Sequence, residues 1–151
     1  MHGFWDVLNV FERVVRCMPT FDVDVKVINV FEFEKCYMFK HFFQLDDTFE
    51  AVREFYNKEE YRFEVPRDAI DEVRERLVEY YYELKLVDNT EEFCVVMQRC
   101  NEYPKPLFRN AVLMDSRGDY KLFVLKDKVA VEQAILHGAK PISETSLNIG
   151  F

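Results

Sequence analysis

A chain of 151 residues, 49% hydrophobic and 32% charged, carries enough apolar side chains for a buried core and too many for general disorder. Its net charge of −8 excludes a protein that coats DNA indiscriminately, because phosphate contacts need cations. Four glycines, none in a Walker or dinucleotide pattern, leave no Gly-rich phosphate cradle.

Residues 3–17 predict an amphipathic helix, with Phe4, Leu8, Phe11 and Val15 at helical spacing and Pro19 as its stop. Residues 21–33 alternate, and the pattern puts Phe21, Val23, Val25, Val27, Phe31 and Phe33 on the inner face of a strand. A second strand is expected from Cys36 to Leu45, with the turn at Asn29 or at Glu34-Lys35. Asp46 or Asp47 caps a short helix through Phe49, Val52, Phe55 and Tyr56. Tyr61 to Val65 reads as a short strand, because a residue before proline is pushed toward extended geometry. The longest helix is placed at 67–86 on the stripe Ile70, Val73, Leu77, Tyr81 and Leu84, although Tyr80-Tyr81-Tyr82 equally suits the start of a strand. Asn89 and Glu92 resemble a capping box ahead of a helix carrying Phe93, Val96, Met97 and Cys100.

Tyr103 to Pro106 is expected to be a rigid linker into the stretch that organises the chain, Leu107 to Gly138. Leu107 to Met114 predicts a strand, Asp115 to Asp119 a turn containing Gly118, and Tyr120 to Leu125 a second strand. Asp127 then caps a helix that buries Val131, Ala134 and Ile135 and ends at His137 and Gly138, with Pro141 beyond it. The expected fold is a single α+β domain over 1–151. It has a mainly antiparallel sheet of four or five strands, helices packed on it, a C-terminal ββα unit, and a loose tail or edge strand at 142–151.

The start of the chain lacks a basic stretch followed by an apolar core, and no window holds eighteen uncharged apolar residues. A cytoplasmic protein with no membrane partner is therefore expected. Abundant Glu, Val and Arg with scarce glycine match compositions from hot environments, so a thermophilic source is expected too. Cys17, Cys36, Cys94 and Cys100 have no Cys-x-x-Cys spacing and no histidine at ligand distance, which points to small buried hydrophobes, with a disulfide left open.

Charge is uneven along the chain. Residues 1–102 hold 23 acidic and 13 basic groups, a net −10, whereas 103–151 hold 5 and 7, a net +2. Arg109, Arg117, Lys121, Lys126 and Lys128 fall in the ββα unit, interleaved with Phe108, Tyr120 and Phe123. Cations of this kind neutralise phosphates while exposed rings stack bases. The chain therefore reads as a small non-catalytic binding protein that contacts nucleic acid or a protein partner through this unit and needs no cofactor. Its many aromatics suit an interface, and a homodimer and a monomer stay equally open.

The alternative is a metal-dependent nuclease. Asp119-Tyr120-Lys121 places a carboxylate and a lysine two apart on a strand, with Asp115 across the turn, a set that could hold Mg²⁺ or Mn²⁺ and orient water or phosphate. Glu83-Leu84-Lys85 repeats the pattern but falls on the expected helix, where such residues diverge. Asp22, Asp24, Glu32 and Glu34 share a parity and would form an acidic strand face. Three serines, none in Gly-x-Ser-x-Gly, and a Cys36/His41 pair without local context give nucleophilic catalysis little support.

Overall fold

The structure is a computed structural model that describes residues 24–99 and 102–147. The expected helix at 3–17, positions 21–23 of the first strand, Cys17, Cys100 and positions 148–151 lie outside the described residues. The chain divides into two compact units, one ending at Leu86 and one beginning at Val87. The class is α+β with mainly antiparallel pairing, and each unit has its own sheet. Among the described residues, no helix is long and apolar enough to cross a membrane.

The N-terminal unit contains β1 (Lys26–Glu32), β2 (Cys36–Phe39), α1 (Asp46–Val52), β3 (Tyr56–Asn57), β4 (Arg62–Pro66), α2 (Ile70–Val78) and β5 (Tyr82–Leu86). Its strands are ordered β3-β4-β2-β1-β5, and β5 lies parallel to β1. The chain turns at Glu34-Lys35, with the Phe33 N–H donating to the Cys36 carbonyl at 3.0 Å, whereas Asn29 lies within β1. The burial phase of β1 matches the expected one at its end, where Phe31 and Phe33 are buried, and differs before it. Val27 is 53% exposed, while Ile28 and Val30 are buried opposite Leu84 and Leu86 of β5. Residues 27, 28, 30 and 31 are all apolar, so both parities read as inward and the neighbouring strand decides. β2 stops at Phe39, short of the expected Leu45, and Asp46 opens α1 without capping it through its side chain.

The expected helix at 67–86 is corrected by the structure. A 3₁₀ turn at Arg67–Ala69 leads into α2, which ends at Val78. Tyr81 takes a positive φ of 67°, the position at a helix exit that glycine usually fills, and Tyr82, Leu84 and Leu86 then alternate with Glu83 and Lys85 along β5. The core is aromatic. Phe39 stacks on Phe63 at 4.8 Å, Phe43 meets Phe63 edge-on at 5.6 Å, and Val52, Val65, Val73 and Leu77 close around them.

The C-terminal unit contains β6 (Cys94–Gln98), α3 (Lys105–Asn110), β7 (Ala111–Arg117), β8 (Tyr120–Leu125), α4 (Lys128–Leu136) and β9 (Lys140–Pro141), with strand order β7-β8-β6-β9. Two expectations are corrected here. The helix after Asn89 is a 3₁₀ turn, Thr90–Phe93, that the Asn89 side chain does cap, and it gives way to β6. The strand from Leu107 is instead α3, and β7 starts only at Ala111. Proline in the first turn of α3 explains the switch: Pro106 has no N–H to lose there and a φ already suited to a helix.

The rest of the ββα unit forms as its sequence dictates. Gly118 turns the hairpin at φ +60°, the Asp127 carboxylate accepts from the Ala130 N–H at 2.7 Å, and Gly138 leaves α4 at φ +99°. One face of the sheet carries Val95, Met97, Phe123 and Leu125, and this face forms the core with Leu107 of α3 and Ala130, Val131 and Ala134 of α4. Ile135, expected to be inward, is 41% exposed. The tail begins with a 3₁₀ turn, Ile142–Glu144, in which Ile142 is buried.

Candidate nucleic-acid interface

The hairpin loop holds only Gly118 and Asp119, so Arg117 pairs with Tyr120, Ser116 with Lys121, Asp115 with Leu122 and Met114 with Phe123. Directly opposed residues of an antiparallel pair share a face, and successive residues alternate. Lys121 therefore lies on the face of Ser116, Met114 and Phe123, the side on which α3 packs. Asp115, Arg117 and Tyr120 lie on the other.

This separates the residues of the nuclease reading. Asp115 and Lys121 are on opposite faces, and Asp119 is an exposed turn residue. Both oxygens of Asp115 are engaged: Oδ1 accepts from the Ser116 N–H at 2.9 Å and Oδ2 from Arg117 Nε at 2.8 Å. Glu83 and Lys85 do share a strand face, contrary to expectation, but their partners on β1 are Val27 and Asn29, which add no carboxylate. Among the described residues, no group of three His, Cys, Asp or Glu side chains is placed to hold a metal ion. Of the acidic parity on β1, Glu32 is bound to Arg67, and Asp22 lies outside the described residues.

The five cations assigned to nucleic-acid contact do not form one patch either. Lys121 and Lys126 are five residues apart along one strand direction, about 17 Å. Arg117 is held by Asp115 on the far face. Lys128 reaches back to Glu92, with Nζ 3.2 Å from its carbonyl and 3.3 Å from Oε2, and sits 4.6 Å over the Phe93 ring. Lys126 stands at the opposite end of β8 from the hairpin tip, where its N–H donates to the Asn110 carbonyl at 2.9 Å, one residue beyond Arg109.

What does come together is a strip on the α3 side of the sheet. The rings of Tyr103, Phe108 and Phe123 meet edge-on with centroids 5.4 to 6.1 Å apart. Phe123 is fully buried beneath, Tyr103 is half-buried with its hydroxyl donating to the Gln98 carbonyl at 3.0 Å, and Phe108 is 38% exposed. Exposed Met114 and Ser116 continue the strip, and Lys121 borders it two residues from Phe123. Lys105 and Arg109, four residues apart and therefore neighbours along α3, lie on the same helix as Phe108. Lys105, Arg109 and Lys121 have no ion-pair partner among the described residues. Tyr103 and Lys105 are hidden in the sequence because Tyr103 to Pro106 reads as a linker. The signal that would have found them is the proline in the first turn of a helix.

An open cleft of roughly 370 Å³ is lined by Glu54, Tyr56, Asn57, Glu59 and Glu64. There Glu54 binds Arg76, Glu64 binds Arg62 and Asn57, and Asn57 Oδ1 accepts from the Glu59 and Glu60 N–H groups. Burial pushes the Cys94 thiol up to about 12, with Glu91 adding and Arg117 opposing, which makes it a poor nucleophile. Burial and then Glu64 raise Cys36 against the opposing pull of Arg62 and Arg67. His41 lies beyond the end of β2 from Cys36 and packs on Phe43 and Tyr82 at 4.9 and 5.1 Å. No protein-family model, curated protein or solved structure matches the chain.

Proposed function

We propose that the chain is a small binding protein that contacts nucleic acid through its C-terminal unit. Lys105, Arg109 and Lys121 meet phosphates, and Tyr103 and Phe108 provide the apolar platform. The observation that carries this reading is three cations without ion-pair partners around a partly exposed ring cluster, in a protein whose net charge is −8. A cation left outside internal pairs is available to an anion, and an anionic chain with aromatic bases matches both halves of the strip. Arg117 and Lys128 serve the fold in this reading. Lys126, at the end of β8 away from Lys121, lies next to the Arg109 end of the strip.

Gel retardation with labelled DNA and RNA at two salt concentrations tests it. Retardation should weaken at the higher salt and weaken further in a Lys105→Gln/Lys121→Gln double variant. Failure to retard any nucleic acid at low salt overturns the reading. Cleavage that requires Mn²⁺ and is lost in Asp119→Ala would return the nuclease alternative to the front.

A further inference from the structure

We infer, on the basis of that reading, that the strip takes a single strand and that an unpaired base rests against Phe108. In a duplex the bases are stacked on one another and only phosphates and groove edges face outward. A protein ring gains a base contact only where the base is unpaired. The strip is built for the second case. Its most exposed ring, Phe108, lies on the same short helix as Lys105 and Arg109, so ring and cations are offered within about 6 Å of helix length. The Tyr103 and Phe123 rings brace it from beneath. Three cations are few for a duplex binder of net charge −8. A short single strand crosses the strip and leaves again, so stacking carries affinity that the cations alone do not.

The test is an equilibrium titration of the intact protein with a fluorescent oligothymidine, an oligouridine and a DNA duplex of equal length, at several salt concentrations. The single strands should bind at least about tenfold more tightly than the duplex, which is within the range of one base–ring stack. Three phosphate contacts on a single strand set the slope of log K against log salt at about −2, and Lys121→Gln should reduce it by about 0.7. Phe108→Leu keeps the apolar bulk and removes the aromatic face. It should keep the circular dichroism spectrum and weaken single-strand binding roughly tenfold. A duplex bound as tightly as the single strands overturns the inference and leaves the nucleic-acid reading standing. So does a Phe108→Leu variant that folds and binds unchanged. Binding of none of the three at low salt removes both.

Discussion

The arginines of the N-terminal unit and the cations of the C-terminal strip are used in different ways. In the N-terminal unit each described arginine is tied to a carboxylate: Arg53 to Glu50, Arg62 to Glu64, Arg67 to Glu32, Arg74 to Asp71, and Arg76 to both Glu54 and Glu72. In the C-terminal unit Arg117 and Lys128 are tied in this way, while Lys105, Arg109 and Lys121 are not. Guanidinium groups reach carboxylates and main-chain oxygens together, as Arg67 does with Glu32 and the Phe33 carbonyl, so they suit structural roles. Lysines outside such pairs stay available to an outside partner. The same contrast separates the aromatic cores. The Phe39, Phe43 and Phe63 cluster is buried, whereas the Phe123 cluster opens to solvent at Phe108.

The largest effects should be alike in both units, which sets the baseline for the comparison. Phe63→Ala and Phe123→Ala each remove a ring with at most 1% exposure, and each should cost about 3–5 kcal/mol, read from the shift in urea midpoint. A loss under about 1 kcal/mol in either would mean that its ring cluster does not hold the unit together.

A smaller effect belongs to the C-terminal unit alone. The Cys94 thiol is held protonated to about 12 in the fold, against an ordinary value of 9.0. The folded state therefore binds that proton more tightly than the unfolded chain. The stability it contributes is complete below pH 9 and is lost as pH rises from 9 toward 12. The urea midpoint should fall between pH 8 and pH 10 more steeply in the parent than in Cys94→Val, and parallel pH profiles would refute the assignment.

The smallest effects sharpen the contrast directly. Arg76 joins two partly exposed carboxylates and donates to the Ala51 carbonyl at 3.0 Å, so Arg76→Met should cost about 1 kcal/mol. Lys105→Gln and Lys121→Gln should stay within about 0.5 kcal/mol of the parent in thermal unfolding. If the lysine changes cost as much as the arginine change, the cations of the two units do the same job and the proposed division fails.

Local signals in the sequence were legible where the chemistry is local. Asp127 caps α4, Gly118 and Gly138 take positive φ, and Asn89 caps the turn that follows it. Segments whose state depends on a partner were not. Residues 82–86 and 94–98 fit helical and alternating patterns equally well, and only pairing with β1 and β8 selects the strand. The site suffered from the same ambiguity at finer scale. Arg109 and Lys121 stand out in the sequence by charge alone. Asp115 and Lys121 part at the hairpin register, because a two-residue loop pairs positions of opposite parity and so puts two odd-numbered residues on opposite faces.

Asp115 has a consequence outside any chemistry. β7 is the outermost strand of its sheet, with an irregularity between Ala111 and Leu113, and outermost strands invite other chains to add to them. By accepting from the Ser116 N–H and holding Arg117, the Asp115 carboxylate occupies a main-chain donor on that strand and sets an ion pair beside it. An incoming strand would have to displace this group and strip water from both charges. Addition of a strand at this point of β7 therefore carries a cost set by a single side chain.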